Sequence, residues 1–388
     1  MSNQSKQSFT RKWRWLAGAA ASLAAALVLA ACGGDDVGGE REGDVEVAQG
    51  GRPTGEITIS QWPGYIDPGS NGTVAEFEQR FGVNVNYIED VNDNVQFFGK
   101  LQPQLDQGQS GGRSLFVVTD WMAKQMYDLG YLQEFSHEDL QTVFDNILPQ
   151  FEESDSDPER KFSIPWQGGL TGIWVNTNQA PEIRAVEDLF DPKYKGKVTM
   201  LAEMRDTMPL VMQSQGIDVE NATTDDWLNT IDLLREAADS GQIRRFTGNE
   251  YTEDLTSGNV VAAIGWSGDA SLIGREGIEW RRPTDGCDTF FDQMVIPVGA
   301  PNTAAALAFM NFAYRPEVQA DIATYVNYVT PVEGVQEILL QRDPELGRNE
   351  LIFPPPELTE GCTADPNPPG SAEDQQEVTE EYQDLITG

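Results

Sequence analysis

Histidine and cysteine are scarce in this chain. Of its 388 residues one is histidine, His137, and three are cysteine. Metal sites built on histidine, and Ser-His or Cys-His catalytic pairs, need partners that this composition does not supply. There is no P-loop pattern and no G-x-S-x-G motif, since Gly265-Trp266-Ser267-Gly268 is one residue short of the latter. We therefore predict no catalytic group, no metal site and no cofactor.

Positive charge is also in short supply. Lysine and arginine number 26 against 63 acidic residues, for a formal net charge of −37, and no lysine follows Lys197. Such a surface repels nucleic acid and anionic membranes, so we predict no nucleic-acid partner. The charge suits a cationic ligand, and it equally suits a saline or alkaline medium. Scarce lysine beside abundant acids favours the environmental explanation, so the bulk charge says little about the ligand.

A long hydrophobic run occurs only near the N-terminus. An alanine-rich run from Leu16 to Ala31 follows a basic, acid-free start and is shorter than the ~20 residues that span a bilayer. It ends in Leu29-Ala30-Ala31-Cys32, which resembles the lipobox of bacterial lipoproteins, whose cysteine is acylated and becomes the mature N-terminus. Residues 1–31 are thus predicted to be a lipoprotein signal peptide, with Cys32 as the lipidation site. The alternative is a secreted protein in which this cysteine occurs by chance.

The rest of the chain divides into a tether and a folded part. Residues 32–53 are rich in glycine and acids without an apolar period, which predicts a flexible acidic tether. The remaining length is comfortable for two domains. Apolar runs such as Leu115-Phe116-Val117-Val118 and Val260-Val261-Ala262-Ala263-Ile264 are typical of buried strands, and they alternate with helical segments. This alternation predicts an α/β fold.

Aromatic and acidic side chains repeatedly follow the predicted strands. Trp62 and Tyr65 flank the Pro63-Gly64 breaker that ends an alternating strand. Further side chains in such positions are Thr119, Asp120, Trp121, Glu203, Asp206, Trp266 and Asp269. Because ligands of open α/β sheets bind beyond the carboxyl ends of the strands, these side chains are candidates for one cleft. The alternative is structural, since aromatics also cap cores and carboxylates are favoured at helix N-termini.

The order and spacing of these motifs resemble the polyamine-binding (spermidine/putrescine) proteins of bacterial ABC importers. The motifs are Trp62-x-x-Tyr65, Val118-Thr119-Asp120-Trp121, Ser163-Ile164-Pro165, Tyr194-Lys195-Gly196, Glu203-x-x-Asp206, Trp266-x-Gly268, Asp292, and Thr330-Pro331 after Tyr328. The resemblance implies an α/β, two-lobe periplasmic-binding-protein-like fold with a hinge and an interlobe ligand cleft. We expect lobe 1 to comprise residues 54–165 and 290–336, and lobe 2 residues 166–289 and 337–388.

The resemblance also implies a ligand-binding set, in which aromatic faces enclose a polymethylene chain and carboxylates bind ammonium groups. By position these residues are Trp62, Tyr65, Thr119, Trp121, Glu203, Asp206, Trp266, Asp292 and Tyr328, with Phe290 where tryptophan is common. Gly64 stands where spermidine binders often have glutamate, and Asp120 and Asp269 are the candidate replacements. A late glutamine of the family has no identifiable counterpart after Phe353, so the length of the amine stays open.

The implied function is that of a monomeric, extracytoplasmic substrate-binding protein, lipid-anchored in the periplasmic space or on the outer face of the cytoplasmic membrane. It would deliver polyamines to the membrane permease of an ABC importer and would not be an enzyme. Aromatic faces attract both cations and methylenes, and a buried ammonium needs a counter-charge, so the residues support this function independently. The alternatives are a receptor of the same fold for a quaternary amine or ferric ion, and an extracytoplasmic hydrolase that uses Glu203 and Asp206.

Two cysteines remain if Cys32 is acylated. Outside the cytosol pairing is permitted, and Cys287 lies in a predicted turn just before Asp292. Cys362 lies in a proline-rich segment with little else to hold it. We predict a Cys287–Cys362 disulfide that fastens this late segment beside the cleft, and two free thiols are the alternative.

Overall fold

The computed structural model describes residues 45–388, so the predictions for the signal peptide, Cys32 and most of the tether concern residues outside this range. The strands are β1 Gly55–Gln61, β2 Val83–Glu89, β3 Leu115–Thr119, β4 Ile164–Asn176, β5 Val198–Leu201, β6 Ile243–Thr247, β7 Ala262–Trp266, β8 Ile278–Arg281, β9 Asp288–Val295 and β10 Thr363–Ala364. The helices are α1 Thr73–Phe81, α2 Asn94–Leu105, α3 Asp120–Asp128, α4 Gln141–Asn146, α5 Met204–Ser214, α6 Thr224–Asp239, α7 Tyr251–Ser257, α8 Ala270–Ile273, α9 Thr303–Ala313, α10 Pro316–Val326, α11 Val335–Arg342, α12 Pro356–Thr359 and α13 Ala372–Thr387. None of these helices has the length and apolarity needed to cross a bilayer.

One mixed sheet organises the described chain. Its strand order is β2-β1-β3-β9-β4-β7-β5-β6, with β8 beside β4 and β10 beside β9. Strand β1 runs parallel to β2 and β3, and β5 runs parallel to β6 and β7. Between these two parallel groups, β9 and β4 pair antiparallel with each other. Strand β9 also pairs antiparallel with β3, and β4 pairs antiparallel with β7. The predicted α/β class is therefore confirmed.

The apolar pattern of the sequence explains which faces are buried. Every residue of β3 and of β7 is buried, as expected for continuous apolar runs in a covered sheet. Strand β1 instead alternates at its start, where Ile57 and Ile59 enter the core. In α1 the buried residues Val74 and Phe77 are three apart and therefore share one face of the helix.

Two of the three predicted lobe boundaries, at 165/166 and 289/290, fall within β4 and β9, the two strands that join the parallel groups, and the third, at 336/337, falls within α11. The sequence analysis divides the chain at residue 165, but the structure runs β4 as one strand through this position, with a register shift between Pro165 and Gly168. A Cβ at Gly168 would lie 2.2 Å from the Phe291 ring and 2.6 Å from the Phe290 carbonyl oxygen. Only glycine lets β9 approach so closely here. The division into lobes itself stays a prediction.

The C-terminal segment returns to the sheet. Cys287 and Cys362 form the predicted disulfide. Immediately afterwards β10 pairs with β9, so that Thr363 lies opposite Asp288. Further on, the hydroxyl of Tyr382 in α13 donates a 2.9 Å hydrogen bond to the carbonyl of Leu201 at the end of β5. The C-terminal segment, which was predicted to belong to lobe 2, is thus held against both β9 and β5.

Candidate functional site

A narrow cavity, called the slot below, collects most of the predicted ligand residues. Its cavity volume is about 20 Å³, room for about one water molecule, so the side chains that line it nearly meet. Its lining residues are Trp62, Pro63, Tyr65, Thr119, Trp121, Glu203, Asp206, Asn249, Trp266, Phe290, Asp292, Tyr328 and Asp365. Ten of the twelve residues that the sequence predicts as ligand-binding are in this set, and they come from segments that follow β1, β3, β5 and β7, from β9 itself, and from the chain after α10.

The Asp292 carboxylate accepts a hydrogen bond on each of its two oxygens. Strand pairing sets Asp292 in β9 opposite Thr119 in β3. The Thr119 hydroxyl donates to Oδ1 at 2.9 Å, and the Tyr65 hydroxyl donates to Oδ2 at 2.8 Å. Burial raises the pKa of Asp292 to about 7, although both hydrogen bonds lower it. The carboxylate is therefore oriented for a cation and is poorly solvated without one.

Four aromatic rings form the walls beside Asp292. Trp62 and Trp266 meet edge to face with their ring centres 5.8 Å apart, and Tyr65 and Tyr328 meet the same way at 5.0 Å. Edge-to-face contacts are a preferred geometry of aromatic pairs. The Trp266-x-Gly268 motif has a packing reason, because a Cβ at Gly268 would lie 2.3 Å from the Tyr328 ring.

Glu203 lies at the N-terminus of α5 and is hydrogen-bonded to Asn94, the first residue of α2. Its Oε1 accepts hydrogen bonds from the backbone N–H and from the side chain of Asn94, the latter at 2.9 Å. The same Asn94 amide donates to the Thr119 hydroxyl oxygen at 2.8 Å, so one side chain links two slot residues. Burial, and the nearby charges of Asp93 and Asp206, raise the pKa of Glu203 well above its usual value.

Asp206 lies one turn further along α5. Its Oδ1 accepts a 3.0 Å hydrogen bond from the Trp266 indole and a second one from the Thr171 hydroxyl. Burial raises the pKa of Asp206 to about 6 despite these two bonds. Trp266 therefore contributes both an aromatic face to the slot and a donor that holds a carboxylate.

Three slot residues were not among the predicted ligand-binding residues, namely Pro63, Asn249 and Asp365. Asp365 follows β10 in the proline-rich segment that the disulfide was predicted to fasten, and the Cys287–Cys362 disulfide and the β10–β9 pairing bring it to the slot. Its backbone has φ +40°, in the left-handed region that aspartate tolerates better than most residues. A lone aspartate after a cysteine in a proline-rich stretch carries no periodic signal, so the sequence offered little to find it.

One arginine lies close to these acids. The Arg205 guanidinium stacks on the Trp121 ring at 3.5 Å and donates to Oδ1 of Asn367. Burial lowers the pKa of Arg205 to about 10, while the charges of Asp365 and Glu203 oppose this shift. The face of Trp121 that Arg205 covers is not free for a ligand.

Asp120 and Asp269, the predicted replacements for the missing glutamate, are not brought into the slot. Asp120 accepts a 2.6 Å hydrogen bond from the Ser156 hydroxyl and lines a neighbouring groove instead. Asp269 is buried and accepts from the Tyr328 hydroxyl on one oxygen, and from Asn249 and Tyr251 on the other. Both Asp269 oxygens are used in holding the walls, so this residue supports the slot from outside.

Comparison with known proteins gives this arrangement a family. The bacterial extracellular solute-binding protein family matches residues 72–349. The spermidine/putrescine-binding periplasmic protein of Salmonella typhimurium is 24% identical over 297 residues, which cover 76% of this chain and 81% of that protein. The putrescine-binding periplasmic protein of Escherichia coli is 27% identical over 325 residues, which cover 78% of this chain and 84% of that protein.

A solved structure shows the same fold. The spermidine/putrescine ABC transporter substrate-binding protein of Streptococcus pneumoniae is 25% identical, with a TM-score of 0.67 over 86% of this chain and 97% of that one. This likeness confirms the predicted periplasmic-binding-protein-like fold, and the family match confirms the prediction of a binding protein rather than an enzyme. The family match spans more than half of the sequence, so this chain belongs to the bacterial extracellular solute-binding proteins.

Proposed function

We propose that this protein binds a polyamine of the spermidine/putrescine class in the slot and delivers it to the membrane permease of an ABC importer. The observation that carries the proposal is the Asp292 carboxylate, 3% exposed and held by two hydroxyls between aromatic walls. A polyamine is an apolar chain with ammonium groups at intervals. It needs both buried carboxylates and aromatic faces, and both line this slot.

The balance of charge in the slot favours a polycation. Four carboxylates line it, those of Glu203, Asp206, Asp292 and Asp365, against the single nearby guanidinium of Arg205. An anion would require the opposite arrangement, with basic side chains or free helix N-terminal amides. The spermidine/putrescine-binding and putrescine-binding periplasmic relatives support the same ligand class.

The site of action follows from the family and the N-terminal sequence. We propose that the protein works outside the cytoplasm as a monomer, anchored to the membrane through acylated Cys32. Residues 1–31 have the basic start and apolar run of a signal peptide, and the periplasmic relatives support export. Globomycin, which blocks lipoprotein signal peptidase, should cause the unprocessed precursor to accumulate, and Cys32→Ser should abolish lipid labelling.

A quaternary amine is the second candidate ligand, because the same aromatic walls would attract its methyl groups. It would offer no N–H to the lone pairs of Asp292 that Thr119 and Tyr65 do not use, since a quaternary nitrogen carries no hydrogen. A hydrolase is disfavoured by the geometry, because Glu203 is committed to Asn94 and Asp206 to Thr171 and Trp266.

Calorimetry against putrescine, spermidine, spermine and choline tests the proposal. We expect saturable binding of at least one polyamine with one ligand per chain, much weaker binding of choline, and no turnover on long incubation. Tight binding of choline with no polyamine binding would contradict the proposal, and so would loss of intact ligand over time.

A further inference from the structure

Three carboxylates converge at one side of the slot. One oxygen from each of Asp206, Asp288 and Asp365 lies within 4.8 Å of the other two. The three residues come from the first turn of α5, the start of β9 and the residue after β10. Asp206 and Asp365 line the slot, whereas Asp288 is fully buried and is not among the lining residues.

Two of these carboxylates keep an oxygen without a partner. Asp288 is 0% exposed, and while the Thr363 hydroxyl donates to its Oδ1, its Oδ2 makes no hydrogen bond to any part of residues 45–388. Oδ2 of Asp365 is buried and equally unpartnered among the described residues. An unpaired buried carboxylate oxygen is costly, so these atoms are available to a ligand that supplies positive charge.

The other oxygens of the cluster are held in place. Oδ1 of Asp206 accepts from Thr171 and Trp266, and Oδ1 of Asp288 accepts from Thr363. At metal sites, hydrogen bonds of this kind orient a carboxylate while another of its lone pairs binds the ion. The disulfide next to Thr363 and the β10–β9 pairing further restrict the position of Asp365.

Charge and size both point to a divalent cation. Burial, then the charges of Asp288 and Asp206, raise the pKa of Asp365, and Arg205 opposes them, so one guanidinium offsets part of the cluster's charge. A dication balances the remainder, whereas one alkylammonium group balances only half of it. Oxygens within 4.8 Å of one another fit the first coordination shell of Ca²⁺, which binds oxygen at ~2.3–2.6 Å. Mg²⁺ is usually bound through only one or two carboxylates and keeps several waters, so a cluster of three carboxylates favours the larger Ca²⁺.

We propose that Asp206, Asp288 and Asp365 form a binding site for one divalent cation of calcium size. The scarcity of histidine and cysteine led the sequence analysis to predict no metal site, but this one uses only carboxylates from three distant segments. The proposal does not depend on the nature of the organic ligand. Because Asp206 and Asp365 also line the slot, the bound ion neutralises two of its four carboxylates and weakens the binding of a polyamine.

Calcium titration of the full chain tests the site. The protein is stripped of metal with a chelator, then titrated with CaCl₂ by calorimetry and with TbCl₃ by tryptophan-sensitised emission, for which Trp266 next to Asp206 is the sensitiser. We expect one saturable site with a Kd near ~0.1–1 mM, the range of extracellular calcium modules. Asp288→Asn should weaken Ca²⁺ binding at least ~10-fold, because the site loses one ligand charge. Asp225→Asn, an exposed acid in the first turn of α6, should leave it unchanged.

Thermal unfolding of each variant shows whether it folds, and Asp365→Asn, which is only partly buried, gives a second test if Asp288→Asn does not fold. No saturation by ~10 mM Ca²⁺, about tenfold above the expected range, would overturn the proposal. So would equal effects of Asp288→Asn and Asp225→Asn, since the ion would then be held by the diffuse acidic surface.

Polyamine calorimetry on the same samples separates the metal-site proposal from the polyamine proposal. Polyamine binding without Ca²⁺ binding would overturn only the metal-site proposal. If Asp288→Asn lost polyamine affinity and no Ca²⁺ site were found, the cluster would instead be a binding site for an ammonium group.

Discussion

The hydroxyl of Tyr65 donates a 2.8 Å hydrogen bond to Oδ2 of Asp292, although 227 residues separate the two. Tyr65 follows β1 and Asp292 lies in β9, and β3 stands between these strands in the sheet. From the end of β3, Thr119 donates to the other oxygen of Asp292. Both oxygens are therefore oriented before a ligand arrives, which reduces the ordering cost of binding.

Removing the charge of Asp292 should weaken polyamine binding more than replacing Trp266 by a smaller aromatic residue does. Loss of one partner of a buried charge pair typically costs ~2–5 kcal/mol, whereas a cation–π contact contributes ~0.5–2 kcal/mol. We expect Asp292→Asn to weaken polyamine binding more than Trp266→Phe does, as measured by calorimetry. Asp225→Asn is the control for overall charge. Equal losses in Asp292→Asn and Asp225→Asn would mean that affinity comes from the diffuse acidic field.

Polyamine affinity should rise with pH through about 7. The pKa of Asp292 is raised to about 7 by burial, so the carboxylate that binds ammonium is mostly protonated in the free protein at acid pH. If only the ionised form binds, the apparent Kd at pH ~5.5 exceeds that at pH ~8 by about 30-fold. Tyr65→Phe removes a hydrogen bond that lowers the pKa of Asp292, so the midpoint of this profile should move to higher pH.

The control for the pH profile is Asp292→Asn, whose residual affinity should lose this dependence. A profile that is unchanged in Asp292→Asn would assign the titration to other buried acids of the slot.

The same raised pKa should make the ligand-free protein less stable as pH rises. Between the ordinary aspartate value of 3.8 and about 7, folded Asp292 holds a proton that the unfolded chain has released. The free energy of unfolding therefore falls across this window, by at most ~4 kcal/mol from this group, and levels off above it. Denaturant unfolding at intervals of pH measures it. The wild-type curve should decline more steeply than that of Asp292→Asn, and parallel curves would contradict the assignment.

Loss of the Cys287–Cys362 disulfide should both destabilise the protein and loosen Asp365. The bridge closes a loop of 75 residues, and such cross-links typically contribute ~2–4 kcal/mol. We expect the double variant Cys287→Ala/Cys362→Ala to unfold at a lower temperature than the wild type. Reductant should lower the unfolding temperature of the wild type to that of the variant. Mass spectrometry of unreduced peptides checks the bridge directly, and alkylation of both thiols without reductant would show that it is absent.

We expect polyamine binding to bring the two predicted lobes closer together. Two of the three predicted lobe boundaries lie in β4 and β9, and the slot draws residues from strands on both sides of these two. A ligand that contacts both sides shifts the equilibrium toward a closed form. X-ray scattering should record a smaller radius of gyration at saturating polyamine than without it. An unchanged radius would argue against a hinged clamp.

Much of the fold could be predicted because it depends on local pattern. The continuous apolar runs in β3 and β7 needed cover on both faces, and the alternation in β1 could bury only one. The side chains that follow these strands, such as Trp62 and Trp266, could be assigned to one cleft because strand ends meet at an edge of the sheet. Seven of the ten predicted residues that line the slot were found in this way, whereas Phe290, Asp292 and Tyr328 were predicted only from the resemblance to polyamine-binding proteins.

Two of the predicted residues lie outside the slot for a common physical reason. Asp269 follows β7 just as Glu203 follows β5, so sequence position made both candidates, yet Tyr251, Tyr328 and Asn249 bind both Asp269 oxygens. Asp120 likewise begins α3 beside Trp121 but points to Ser156. A one-dimensional pattern locates a side chain on an element. It does not record which distant hydroxyl that side chain meets.

The sequence by itself determined the main buried strands, such as β3 and β7, and the aromatic and acidic character of the candidate site, since these follow from composition and short-range periodicity. The tertiary structure alone decided which carboxylates share one place. Asp288 and Asp365 are 77 positions apart and become neighbours only because β10 pairs with β9 beside the disulfide. Their free oxygens, like the bond between Tyr65 and Asp292, depend on contacts across the sheet that no local segment encodes.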